Sequence, residues 1–163
     1  MRTPATVLRI PVHVVLVMLP VGLWLFAGFC DLAYLLTKSP EWAVTALYSL
    51  AGGTIVAVIA AVPGLIDYVA LRDKIARRIA FYHLISSVLV TLLMAVSVAL
   101  RWYVSLEDAL AYLISWAASL GLLAAIWTGA HMVHALAVGV DTRDEATVAE
   151  VPGGPAHEQL RAQ

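Results

Sequence analysis

Residues 11–36 read PVHVVLVMLPVGLWLFAGFCDLAYLL, an apolar run with His13 near its start and Asp31 near its end. As a helix rising about 1.5 Å per residue, such a run crosses roughly 30 Å of hydrocarbon. Arg2 and Arg9 precede it, which gives the outline of a secretory leader. The run is too long for one, contains Asp31 and lacks a convincing cleavage site, so a retained span is expected. Starting from Ile10, this first span covers residues 10–36. Three similar runs follow at 42–71, 79–100 and 109–140, and together they predict an all-α, integral-membrane four-helix bundle over residues 1–141.

Composition agrees. The chain has 163 residues, of which 62% are hydrophobic and 13% charged, with a mean hydropathy of +0.89. Soluble domains are roughly 45–50% apolar and about 25% charged. A net charge of −1 without any basic patch interleaved with aromatics excludes nucleic acid as a partner. The single cysteine, Cys30, makes no internal disulfide and no paired-thiolate metal site.

Basic residues set the expected orientation. Arg2 and Arg9 precede the first span, Arg72, Lys74, Arg77 and Arg78 lie between the second and third, and Arg143 and Arg161 follow the fourth. Lys38 and Arg101 alone fall on the other side, so the positive-inside rule puts both termini in the cytoplasm. Trp42, Trp102 and Tyr103 then sit at the outer interface as anchors. Residues 142–163 are acidic and broken by Pro and Gly, which predicts a disordered cytoplasmic tail with no role for His157.

Small residues recur every fourth position at Ser49, Gly53, Ala57 and Ala61, and again at Ala117, Gly121, Ala125 and Gly129. Such ridges let membrane helices approach closely, within the bundle or across a homodimer. His131 lies about 160° around its helix from Gly129, so the two cannot face one neighbour. Pro20 and Pro63-Gly64 predict bends inside the first two spans.

The intramembrane polar residues fall at one depth. His13, Asp67, His83, His131 and His134 all lie in the half of the bilayer nearer the termini, and every helix supplies at least one. Antiparallel helices with randomly placed polar residues would scatter them over both leaflets. Buried imidazoles and carboxylates are costly unless paired or ligated. Neutral imidazoles bind transition metals, and a carboxylate orients a ligating ring through its other N–H. The expected cluster has His13, His83 and His131 as ligands of a metal or of haem b, with Asp67 and His134 beside them. Asp31, eighteen residues and five turns beyond His13, shares its face but lies near the outer end. A tryptophan N–H or a hydroxyl from another span is its expected partner; an outer proton port through Thr91 or Ser97 is the alternative.

These residues resemble the DUF2231 family, uncharacterised bacterial membrane proteins, over residues 8–141. PVHVVLVMLPVGLWLFAGFCDL is similar to the family's P-x-H-P, V-[HD]-x-P-I-G-x-W and later Asp, with His13, Pro20, Gly22, Trp24 and Asp31 in place. Val14 and Met18 depart from it. PGLIDYVAL resembles the stretch carrying Asp67, and ARRIAFYHLISS the stretch carrying His83. GAHMVHALAVGVD resembles G-G-[HE]-L-V-Y-x-x-G-V-G-V-D, with His131 matching, His134 in place of Tyr and Ala137 in place of Gly. The resemblance implies a multi-pass protein of the bacterial inner membrane. Some relatives join a similar membrane part to a Rieske-type iron–sulfur domain, which implies electron transfer.

The expected function is therefore a redox membrane subunit carrying haem b or a metal and working with a redox partner protein. A structural or assembly subunit, or an ion or proton pathway through the same groups, are the alternatives. Hydrolysis has little to recommend it, since Ser86 and Ser87 lie near His83 but no motif frames a nucleophile.

Overall fold

The computed structural model describes residues 6, 7 and 10–134, with side chains from 12 to 133. Four helices carry the fold: α1 (Val12–Thr37), α2 (Pro40–Ala70), α3 (Lys74–Tyr103) and α4 (Ala109–His134). Each is long and apolar enough to cross a membrane. Ahead of them, Thr6–Val7 pairs antiparallel with Ile10–Pro11, so the first helix begins at Val12 rather than Ile10. Residues 135–140 of the expected fourth span, the tail and the His134 side chain lie outside the described residues.

The connections are short because each helix end is closed locally. Lys38 ends α1 with a left-handed φ of 57°, its N–H returning to the Tyr34 carbonyl at 2.8 Å. Asp73 caps α3 by accepting the Ala76 N–H at 2.7 Å, and that helix begins at Lys74, five residues ahead of its expected start. Asp108 caps α4 in the same way through Ala111, at 2.9 Å. These carboxylates satisfy N–H groups that a helix start leaves open.

Burial is inverted relative to a soluble protein. Leu19, Phe29, Ile55, Val62, Leu92, Leu120 and Trp127 all point outward. Hydroxyls inside the spans bond back along their own helices, Thr54 to the Leu50 carbonyl and Ser119 to the Ser115 carbonyl, each at 2.8 Å. No polar group on those side chains is thus presented bare to lipid. The core centres on Trp24, Ala27, Leu50, Val90, Met94, Ala118 and Leu122. The small-residue ridges make close approaches: a Cβ on Gly53 would fall 2.7 Å from the Trp24 indole, and one on Gly121 3.2 Å from Val90. The ridges do not hold along their whole length, since Ala61 and Ala117 are exposed.

α1 packs chiefly along α2, and α3 along α4, so the bundle is two helical hairpins set side by side. The hairpins match position by position. His13, Trp24, Ala27 and Asp31 on α1 stand seventy positions before His83, Met94, Ser97 and Arg101 on α3. Apart from the two half-buried histidines, all of these are buried. Ala46, Leu47, Leu50, Gly53 and Ala60 on α2 stand sixty-five before Ala111, Tyr112, Ser115, Ala118 and Ala125 on α4, and all ten are buried. Two hairpins that run in the same direction thus share one burial pattern, as membrane proteins built from parallel repeats do.

Candidate functional site

The bundle has two polar ends separated by an apolar middle. One end, where α1 and α3 begin and α2 and α4 finish, contains the histidines. The other holds Asp31.

At the histidine end, His13 on α1 and His83 on α3 approach across the bundle with ring centroids 6.2 Å apart and planes at 82°. His13 Nδ1 lies 2.8 Å from the Ala60 carbonyl on α2. His83 Nδ1 lies 3.0 Å from the Ala125 carbonyl on α4 and 3.3 Å from Thr128 Oγ1. A carbonyl only accepts, so both Nδ1 atoms carry a proton, and a ring in its neutral form then holds its lone pair at Nε2. Among the described residues neither Nε2 has a hydrogen-bond partner.

The rings border a cavity of about 420 Å³ between the hairpins. Its walls are mostly Val, Leu and Ala, with Trp24, Asp67, Tyr68, Ser87 and Thr91 as further polar or aromatic members. Val14, Val58, Leu65 and Leu92 line it while also being exposed, so the cavity opens sideways onto the lipid-facing surface. Asp67 is half-buried on this wall.

His131 does not join the pair. It is exposed and absent from the cavity wall, whereas its neighbours Gly129, Met132 and Val133 line it. The reason is helical geometry: Gly129 packs against the His83 ring, and a residue two further on points to the opposite side. The expected convergence of three imidazoles is replaced by a pair, with Asp67 on the same cavity. His134 has no described side chain. Among the described residues no group of three or more His, Cys, Asp or Glu side chains is placed to hold a metal ion.

At the other end, Asp31 is paired with Arg101. Nη1 and Nη2 of the guanidinium donate to Oδ1 and Oδ2 at 2.6 and 2.7 Å, and both side chains are fully buried. Arg101 Nη2 also reaches Ser115 Oγ at 3.1 Å, and its guanidinium carbon stands 4.3 Å from the Tyr112 ring centroid. Tyr112 stacks in turn on Tyr34. Asp31 thus meets neither the Trp24 N–H nor a hydroxyl as its main partner. Trp24 Nε1 is buried and has no hydrogen-bond partner among the described residues, and it packs against Gly53. Sequence reasoning missed Arg101 as a partner because an arginine beside Trp102 and Tyr103 looks like an interfacial anchor. The signal available was spacing: Arg101 lies eighteen residues beyond His83, as Asp31 does beyond His13.

Four long apolar helices, an outward-facing hydrophobic surface and a fully buried ion pair define a multi-pass integral membrane protein. The profile of the DUF2231 family, described as a predicted membrane protein, matches residues 9–142. The chain belongs to that family. No curated protein and no solved structure matches it.

Proposed function

We propose that the protein is a redox subunit of the bacterial inner membrane, in which His13 and His83 hold haem b between the two hairpins. The observation that carries this reading is the imidazole pair. Opposed imidazoles ligating one metal at about 2.0 Å place their centroids roughly 6 Å apart, close to the spacing here. Both Nδ1–H groups donate to backbone carbonyls, the arrangement that usually fixes a ligating ring and makes its other nitrogen more basic. A haem needs only two protein ligands, whereas a bare metal ion would normally take three or four. The donor set therefore favours haem over an isolated ion. The haem would supply one-electron chemistry, exchanged with a redox partner protein. The apolar walls would exclude water, and Asp67 offers a carboxylate at the cavity edge.

His131 and His134 are not assigned as ligands. Arg72, Lys74, Arg77 and Arg78 belong to the histidine end, so the positive-inside rule places the site in the cytoplasmic leaflet. An ion pathway is disfavoured by the intervening Trp24, Leu50, Val90 and Met94 core and by the commitment of both Asp31 oxygens to Arg101. A structural subunit is the second reading, favoured by one observation: each histidine ties α1 to α2 or α3 to α4 through a carbonyl.

The deciding experiment is the absorption spectrum of protein made with ample haem supply and purified in mild detergent. A Soret band that is lost in His13→Ala and His83→Ala is expected. A colourless, haem-free protein that is nonetheless destabilised by those substitutions overturns the redox reading and leaves the structural one.

A further inference from the structure

We propose that Gly64 and Gly129 are the positioning residues of the imidazole pair. Each seats one ring against a neighbouring helix, so that Nδ1 is tied to a carbonyl and Nε2 faces the cavity. The ligand at Nε2, an electron-pair acceptor such as haem iron, rests on the redox reading; the seating does not.

The two seats share one design. His13 bonds the carbonyl of Ala60 and lies against Gly64; His83 bonds the carbonyl of Ala125 and lies against Gly129. In both helices the glycine follows the alanine by four residues, one turn further along the same face. A Cβ at Gly64 would stand 2.6 Å from His13 Nδ1 and 2.8 Å from Cε1. One at Gly129 would stand 3.1 Å from His83 Cε1. An imidazole leaves no room for a side chain at Gly64 and would have to give by a few tenths of an ångström at Gly129. In both cases the neighbour is a ring and not a backbone, so these glycines are not merely small residues at a helix crossing. The seats lie sixty-five positions apart, the offset that relates α2 to α4 in the core. Two histidines related by the same repeat, with the same nitrogen tied back in the same way, direct equivalent lone pairs toward the space between the hairpins.

The experiment uses the full chain with His131, His134 and His157 replaced by Gln, leaving two imidazoles. With ¹⁵N-labelled histidine, the haem-free protein should show both rings in the Nδ1–H tautomer by NMR. Gly64→Ala should disturb the His13 tautomer and leave His83 unchanged, and Gly129→Ala should do the reverse, more mildly. Titration with haemin or Co²⁺ should show affinity lowered about 10–100-fold by either substitution, the usual effect of loosening a ligand's support. If Gly64→Ala folds poorly, the double variant His13→Ala/Gly64→Ala should recover the thermal stability of His13→Ala, because the clash is with the ring. An Nε2–H tautomer in either ring, or a double variant no more stable than Gly64→Ala, overturns the seating. Nδ1–H tautomers without binding of haemin or Co²⁺ uphold the seating and overturn the redox reading alone.

Discussion

Arg101 holds Asp31 with two parallel hydrogen bonds, on residues seventy positions apart and at matching places in the two hairpins. Charge is complementary across the repeat, and two further positions change with it: Ala27 and Leu50 stand in the first hairpin where Ser97 and Ser115 stand in the second. Ser115 bonds the guanidinium directly, and Ser97 lies 3.4 Å from its Nε. The polar partners have been placed where the larger donor needs them.

Removing one member of this pair leaves the other charged and buried. Asp31→Ala or Arg101→Ala should each destabilise the protein by about 3–5 kcal/mol. Asp31→Leu/Arg101→Met should recover much of that loss, because no charge is left behind. Thermal unfolding in detergent checks both. Equal losses in single and double variants would mean that shape rather than charge is what matters there.

Gly53 packs tightly within the apolar core, with the Trp24 indole where its Cβ would be. Gly53→Ala should cost about 1–3 kcal/mol from overpacking. Gly22→Ala, with nothing within 4 Å of the new Cβ, should be tolerated and gain helix propensity. Unfolding midpoints of the two variants should therefore move in opposite directions.

The histidines should separate cleanly in function. His83→Ala and His13→Ala should remove the haem spectrum, while His131→Ala should leave it intact, since His131 is exposed and off the cavity wall. Loss in His131→Ala equal to that in His83→Ala would refute the two-ligand assignment.

Orientation can be tested with single cysteines at Ile75 and Ser105, both exposed at opposite ends of the bundle. Cys30 is fully buried and should stay silent toward polar reagents. In intact cells an impermeant thiol reagent should label position 105 and not position 75. The reverse pattern would place the histidine end outside.

The four spans were legible because hydrophobic length alone specifies a membrane helix. The depth of His13 and His83 was legible too, since an antiparallel path fixes depth from position. Azimuth was harder. His131 shares that depth but not that direction, and the constraint from Gly129 held the answer in part. The Asp31–Arg101 pair was hidden because a helix-end arginine can either reach outward to headgroups or turn inward, and the choice depends on Ser115 and Tyr112 from another helix. The repeat escaped notice for a related reason: matched positions share burial, not residue type, as Trp24 and Met94 show.

The sideways mouth of the cavity sets where exchange takes place. Val14, Val58 and Leu92 border it on the face turned to acyl chains, so a ligand of the proposed kind would arrive from the bilayer rather than from bulk water. Occupancy then follows the ligand's mole fraction in lipid. At a fixed total amount of an apolar ligand, adding empty vesicles should draw it off the protein by dilution in two dimensions, although the aqueous volume has not changed. For a protein so arranged, membrane composition is itself a variable of its binding equilibrium.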